Sequence, residues 1–217
     1  MTEQLQPVRV AVNVMRARLT VVGFNLAIIT YQISVTPRFP GAIQLPNTAM
    51  PLHIVTDITL LIGLALSVIA MVCFITSTKL DNEGICTHWS LLSGDLFMYL
   101  ALAYSVGGFF SPILQVLDQA TLAIPQEAWE LATVRMGVVI SGGSAWFIAT
   151  YVGPFVSLMR SPFSKRITII QGGLYLLLVL STAYINTQTI RLDALLGGNT
   201  VGTEPTILKE LLQPLRW

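Results

Sequence analysis

Five long runs of this sequence contain no Asp, Glu, Lys or Arg, and they limit the chain to very few architectures. The runs cover residues 19–37, 58–78, 96–117, 136–159 and 167–190. An uncharged, mostly apolar run of about 18 or more residues is long enough to cross roughly 30 Å of hydrocarbon as a helix. Because the bilayer core offers no water to unpaired backbone groups, the runs predict helices, each of which satisfies its own backbone.

We therefore predict an all-α integral membrane protein, a bundle of about five transmembrane helices with a short amphipathic C-terminal helix. The single transmembrane domain takes in residues 1–217, and its helices are expected at about 19–36, 53–77, 90–116, 134–159 and 167–189. Pro125 suits the first turn of a helix, so the fourth helix is expected to reach back to it.

The C-terminal residues predict a short helix with one apolar face. Residues 204–213 place Ile207, Leu208, Leu211 and Leu212 on one side of a helix. Such a face can contact a neighbouring subunit or the membrane surface, or it can pack on the chain's own bundle. Both interpretations fit the pattern.

Charged residues are too scarce for a water-facing surface. They make up 11% of the chain, against 53% apolar residues, and the mean hydropathy is +0.70. A soluble surface needs roughly 25–35% charged residues. The composition therefore excludes an ordinary soluble enzyme, and the near balance of 12 basic and 11 acidic residues excludes a basic nucleic-acid binder. The expected partners are the lipid bilayer and other membrane subunits, including copies of the chain itself.

The basic residues are unevenly divided between the two ends of the predicted bundle. Seven of them fall on one side of a five-helix topology: Arg9, Arg16, Arg18, Lys79, Arg160, Lys165 and Arg166. By the positive-inside rule this side is cytoplasmic. We therefore expect a multi-pass protein of the cell membrane, with residues 1–18 as a cytoplasmic N-terminal segment and residues 190–217 as an external C-terminal tail.

The predicted fourth helix carries small residues at every fourth position. They are Gly137, Ser141, Ala145, Ala149 and Gly153. Small residues let two backbones approach closely, which is how membrane helices gain packing energy without a hydrophobic drive. We interpret this row as a helix-packing surface.

The third helix has a row of the same spacing that is partly polar: Asp95, Tyr99, Ala103, Gly107 and Ser111. This row can serve packing alone, but its carboxylate and phenol also suit the wall of a path. Rings of carboxylates line many cation channels. We predict a polar transport path along this helix, lined by Asp95, Tyr99 and Ser111, with Asp57 of the second helix also on it.

A charge inside a membrane span costs roughly 2.5–3.5 kcal/mol on insertion scales, so each one needs a partner or a role. Asp57 and Arg135 lie at matching depths in the second and fourth helices, which predicts a structural ion pair. Asp95 has no basic residue at its depth within the predicted helices, which favours a place on the transport path. The alternative is a structural role, in which Asp95 is bonded to the first helix or to a loop lysine. Asn25 and Asn186 predict hydrogen bonds between helices.

The sequence contains no residue set for catalysis, a metal or a cofactor. Asp95 lacks the first glycine of the Gly-x-Gly-Asp signature of intramembrane aspartyl proteases, because Leu92 stands there. Asp57 and Asp95 are expected about 15 Å apart in depth, whereas carboxylates that share a proton lie ~3 Å apart. The two histidines, His53 and His88, fall at opposite ends of the bundle, too far apart to hold a haem together. We therefore predict no enzyme activity, no cofactor and no metal.

Two functions from different classes fit these observations. In the first, the chain is a subunit of a homo-oligomeric ion channel or of a transporter of ions or small solutes, with its path along the third helix. In the second, it is a non-catalytic accessory or assembly subunit of a larger membrane complex. We favour the first, because Asp57 and Asp95 would be costly in a scaffold.

The topology can be tested by labelling. Single cysteines at Thr48 and Gln126, in loops expected outside, should react with an impermeant thiol reagent added to intact cells, and one at Ser164 should not. The native Cys73 and Cys86 are replaced first to remove background labelling. The reverse pattern would overturn the orientation, and labelling at all three positions in sealed cells would contradict the five-helix topology.

Overall fold

The computed structural model describes residues 8–9, 12–39, 43, 53–79, 85–86, 88–196 and 206–212 of the chain. In this part the regular structure is helical, apart from an antiparallel pairing of the two-residue segments Val8–Arg9 (β1) and Ile85–Cys86 (β2). Five helices are long and apolar enough to cross a membrane. The all-α class is therefore confirmed, and five helices of membrane-spanning length and hydropathy are present, as predicted.

The helices are α1 (Val12–Val35), α2 (Ile54–Lys79), α3 (Ser90–Ala123), α4 (Ala128–Phe147), α5 (Gly153–Met159), α6 (Lys165–Leu196) and α7 (Ile207–Leu211). A 3-10 turn at Pro125–Glu127 leads into α4, and a π turn at Ile148–Val152 joins α4 to α5. One continuous helical segment therefore runs from Pro125 to Met159, and it begins at the proline, as predicted. α1 begins before residue 19 and α6 ends after residue 189, so both are longer than predicted.

α3 lies at the centre of the bundle and is buried along most of its length. It packs against α1, α2, α4, α5 and α6, with α2 as its main neighbour. The close approach depends on glycine: a Cβ on Gly94 would lie 2.6 Å from the Phe74 ring, and one on Gly108 would lie 2.5 Å from Leu60. Because contact between apolar helices in lipid is stabilised mainly by van der Waals packing, these glycines set the position of α3.

The π turn divides the predicted packing row of the fourth helix. Before the turn, Gly137, Ser141 and Ala145 are exposed; Ala149, within it, is buried, and Gly153, after it, contacts α3. A π turn closes its hydrogen bonds over five residues instead of four, so residues at every fourth position no longer share a face on its two sides. Within this chain the row is therefore not one packing surface. The buried side of α4 consists instead of Gly142, Gly143 and Trp146.

α7 returns to the bundle and packs against α6. The Tyr151 hydroxyl donates a hydrogen bond to the backbone carbonyl of Leu211. The Leu211 side chain packs on a buried cluster that α2, α3 and α6 form together. Of the segment 190–217 that was expected as an external tail, the residues up to Leu196 belong to α6, and α7 lies against its own bundle.

α7 turns its carboxylate toward the bundle and most of its apolar side chains away from it. Glu210 is only 5% exposed, whereas Ile207, Leu208 and Leu212 are 39%, 63% and 45% exposed. Of the predicted apolar face, Leu211 alone packs inward. A helix with its carboxylate inside and its apolar side chains outside suits a bundle with a polar interior and a lipid exterior.

Two glycines of the Pro125–Met159 span give a matched test of its packing. A Cβ on Gly153 would lie 2.6 Å from the ring of Tyr99, whereas one on Gly137 would have nothing within 4 Å. We expect Gly153→Ala to lower the free energy of unfolding by about 1–3 kcal/mol, because added volume strains a filled contact. Gly137→Ala should leave it unchanged or raise it slightly, because alanine favours a helix. Thermal unfolding in detergent measures both, and equal stability of the two variants would contradict this packing.

Candidate functional site

A cavity of about 260 Å³ lies between α2, α3, α4, α6 and α7, where α2 begins and α3 ends. Eight of its eleven lining residues have polar or charged side chains. The lining residues are Thr56, Thr59, Ser111, Gln115, Asp118, Arg135, Asn186 and Glu210, together with Val55, Gly107 and Leu114. We call this space the polar cavity and this end of the bundle the Arg135 end. The opposite end, where α1 and α3 begin, is the Arg18 end.

Helical spacing places the polar groups of α2 and α3 on the cavity wall. Gly107, Ser111 and Asp118 follow one another on α3 at steps that keep them on one face. Gly107 leaves space because it has no side chain. On α2, the Thr59 hydroxyl donates to the Val55 carbonyl at 2.6 Å, which leaves its oxygen free to accept a hydrogen bond. The wall is therefore rich in oxygen acceptors.

Arg135 pairs with Asp118, not with Asp57 as its depth predicts. The Arg135 Nε donates to Asp118 Oδ1 at 2.7 Å, and the two side chains are 38% and 57% exposed. This exposure places the pair at the mouth of the polar cavity. Asp57 does not line the cavity; its Oδ2 accepts the backbone N–H of His53 at 3.2 Å, at the start of its own helix. The predicted Asp57–Arg135 ion pair is therefore replaced by an Arg135–Asp118 pair.

Asn186 of α6 is the most unusual group in the wall. It is 5% exposed, and its side-chain oxygen has no hydrogen-bond partner. The expected interhelical hydrogen bond is absent there, whereas the one expected for Asn25 is confirmed, since its Nδ2 donates to Ser67 Oγ at 2.8 Å. Among the described residues, one other buried side-chain atom lacks a partner, the Thr150 Oγ1 in the π turn, and it does not line the polar cavity.

Glu210 reaches the polar cavity from α7, and sequence reasoning placed it on an external tail. Its neighbourhood is rich in hydroxyl groups. Tyr104 of α3 lies close enough to Glu210 and Tyr151 to interact electrostatically with both, and its hydroxyl hydrogen-bonds the Thr182 side chain. Tyr175 of α6 donates to the Thr150 carbonyl at 2.6 Å. The three tyrosines therefore link α3, α6, α7 and the π turn to one another.

Asp95 at the Arg18 end has a basic partner, which corrects the expectation that none lies at its depth. Arg18 donates from Nε to Asp95 Oδ1 at 2.6 Å and from its Nη2 to Oδ2 at 2.7 Å. The two side chains are 22% and 11% exposed. The Arg18 guanidinium also lies 6.0 Å from the centre of the Phe74 ring. The structure therefore matches the alternative of a structural Asp bonded to the first helix.

Between the Arg18–Asp95 pair and the polar cavity, the predicted path along α3 is filled by protein. Tyr99 occupies the space beside Gly153. Ala103 lies in a buried apolar cluster with Trp146 and Ala149. No polar channel follows the α3 row through this packed segment.

The predicted path residues therefore separate in space. Ser111 lies in the wall of the polar cavity. Tyr99 packs beside Gly153, Asp95 is paired with Arg18, and Asp57 lies outside the cavity wall. Asn186 and Glu210, which sequence reasoning did not assign to a path, stand in that wall with Ser111.

A second cavity, of about 440 Å³, lies between α2, α3 and α6 toward the Arg18 end. Its walls include Leu96, Phe97 and Leu174. Two of its polar side chains, Ser93 and Gln171, hydrogen-bond one another at 3.0 Å. No charged residue lines it, so it offers no group that would orient a polar ligand.

Comparisons of the chain with protein-family models, with curated proteins and with solved structures find no match. Within the described ranges, no three His, Cys, Asp or Glu side chains are grouped so as to hold a metal ion. The polar cavity and the two charged pairs are therefore the features from which a function can be inferred.

The Arg18–Asp95 pair can be tested with a double-mutant cycle. Arg18→Gln or Asp95→Asn should each lower the free energy of unfolding by about 1–3 kcal/mol, since each leaves a largely buried charged partner unpaired. The double variant should lose clearly less than the sum of the two single losses. Chemical unfolding in detergent measures all four proteins. Additive losses would mean that the two side chains do not interact.

Proposed function

We propose that this protein is a multi-pass membrane protein that transports an ion or a small polar solute through the polar cavity. The observation that carries the proposal is a polar cavity lined mainly by helices of membrane-spanning length, with the Asn186 oxygen buried in its wall and unpaired. Polar and ionisable groups within membrane spans are costly, and they are typical of the paths that ions and solutes take.

The arrangement suits a transport protein in a closed conformation. The exposed Arg135–Asp118 pair stands at the mouth of the polar cavity, so a solute enters from the Arg135 end. Toward the other end, the Tyr99–Gly153 contact and then the Arg18–Asp95 pair close the bundle. Transport would require these contacts to separate, as in alternating access. The distribution of basic residues supports an outward-facing Arg135 end.

An accessory subunit of a larger membrane complex is the second candidate. The observation that favours it is the face of α4 formed by Gly137, Ser141 and Ala145, which is exposed although small residues usually mark helix contacts. A discrete symmetric oligomer of the purified chain would favour a transport assembly of identical copies. A monomer that is stable only together with other gene products would favour the accessory function.

Flux in liposomes that contain only this protein tests the transport proposal. We expect passage of a small ion or solute, and we expect Ser111→Phe to lower the rate at least about tenfold, because the ring fills the polar cavity. Ser144→Phe is the matched control, because Ser144 is exposed on α4 and does not line the cavity. Absence of flux above empty liposomes, for ions and for neutral solutes, would reject the proposal.

The role of the Arg18–Asp95 pair is tested in the same liposomes. Asp95→Asn keeps the shape of the side chain and removes its charge. If the pair helps to close the Arg18 end, the variant should conduct faster than the wild type while its oligomeric mass stays the same. A wild-type protein that conducts, with an unchanged rate and selectivity in Asp95→Asn, would remove Asp95 from the path.

A further inference from the structure

We propose that the polar cavity binds a small, uncharged solute with several hydroxyl groups, one of which donates a hydrogen bond to the side-chain oxygen of Asn186. The proposal rests on the proposed function, because it names the class of solute for the same cavity. Three features carry it: an unpaired acceptor in the wall, neighbouring groups that both donate and accept, and the volume of the cavity.

The unpaired acceptor is Oδ1 of Asn186. The residue is 5% exposed and lines the polar cavity, and no donor among the described residues reaches this oxygen. Buried polar atoms in proteins are almost always paired, so an exception at a cavity wall indicates a missing partner. Because an amide oxygen only accepts hydrogen bonds, a solute fills this place when it presents an O–H or N–H group. Halides and fully ionised oxyanions present none.

The neighbouring wall groups favour a hydroxyl compound among such donors. They are the hydroxyls of Thr56, Thr59 and Ser111 and the side-chain amide of Gln115. The Thr59 hydroxyl spends its hydrogen on the Val55 carbonyl at 2.6 Å, so it meets a solute as an acceptor. The Gln115 amide has both donors and an acceptor. Hydroxyl groups match such a mixed wall, because each of them donates and accepts at a single oxygen.

The charged residues of the wall are engaged within the chain. Arg135 and Asp118 bond to one another at the mouth of the polar cavity. Glu210 interacts with other groups of the chain, Tyr104 among them. A charged solute would need an opposite charge of its own, because desolvating an ion costs far more than desolvating a hydroxyl. The amide and hydroxyl groups of the wall therefore suit an uncharged solute.

The volume indicates a molecule of several atoms. The polar cavity measures about 260 Å³, whereas one water takes roughly 30 Å³. A metal ion held by protein oxygens needs a close cage around it, with ligands at about 2.3–2.6 Å in the case of Ca²⁺. A space this large fits a compact polyol better than a bare ion.

Wild-type protein in lipid nanodiscs provides the first test. Saturation-transfer NMR compares glycerol with 1,2-dimethoxyethane, which has as many non-hydrogen atoms but no donor, and with methylammonium chloride; empty nanodiscs give the background. We expect saturable binding of glycerol, on the order of millimolar because so small a solute makes few contacts. We expect none for dimethoxyethane, because it cannot donate to Asn186.

The other outcomes of this experiment overturn the proposal. Dimethoxyethane that binds as well as glycerol would show that no donated hydrogen bond is needed. Methylammonium that binds more tightly than glycerol would make the solute a cation. Binding of none of the three would mean that the cavity holds water only.

Variants then test the role of Asn186. Asn186→Leu should weaken the binding of glycerol about tenfold, because it removes the acceptor at nearly constant shape. Thr187→Val is the control: Thr187 is buried on the same helix, its hydroxyl donates to the Ala183 carbonyl at 2.9 Å, and it does not line the cavity. Unchanged binding in Asn186→Leu overturns the assignment. Should that variant fail to fold, Ser111→Phe decides instead, because its ring fills the cavity and glycerol binding must be lost.

Flux separates this inference from the transport proposal. Glycerol that binds but does not cross liposomes retains the site and rejects transport. Flux of ions, with no binding of glycerol, retains transport and rejects the polyol site. Glycerol flux that falls in Asn186→Leu and not in Thr187→Val supports both.

Discussion

The bundle depends on how closely its other helices can approach α3. Where a glycine of α3 meets a large side chain, as Gly94 meets Phe74 and Gly108 meets Leu60, the contact is filled and dry. Where Gly107 and Ser111 face the threonines of α2, no large side chain fills the gap, and the polar cavity remains. The same supply of small residues therefore produces a tightly packed centre and, beside it, a space that suits a polar guest. A single helix, α3, therefore carries both tightly packed positions and open, polar positions.

The uncharged runs are sufficient to predict the five helices, because length and hydrophobicity alone decide whether a helix can span a bilayer. They are not sufficient to predict which charges meet. Position along a helix gives depth, but it does not give the direction around the axis once the helices are packed. Asp57 and Arg135 agree in depth, yet Arg135 faces Asp118. The partner of Asp95 is missed for another reason: the predicted first helix starts after Arg18, whereas α1 begins earlier and includes it.

The candidate site is predictable only in part. Ser111 can be predicted from its place on the α3 row, because that row belongs to one long helix with one regular period. Glu210 cannot be predicted, since a short segment with leucines on one side has the same pattern whether those leucines face lipid or the bundle. Its placement follows from tertiary contacts, the Tyr151 hydrogen bond to Leu211 among them. Asn186 is visible in the sequence, but no pattern separates a paired amide from an unpaired one.

The π turn determines how this chain would respond to the loss of a single residue. It closes its hydrogen bonds over five residues, so it holds one residue more than a regular α-helical turn. Deleting one residue within Ile148–Val152 would therefore let a regular α-helix join α4 to α5, with Trp146 still in the core and Arg135 still beside Asp118. A deletion in the regular part of α4, between Arg135 and Trp146, would instead rotate the residues before it by about 100° and carry Arg135 away from Asp118. The mouth of the polar cavity would thus tolerate the loss of a codon in the π turn and not the loss of a codon in the helix before it.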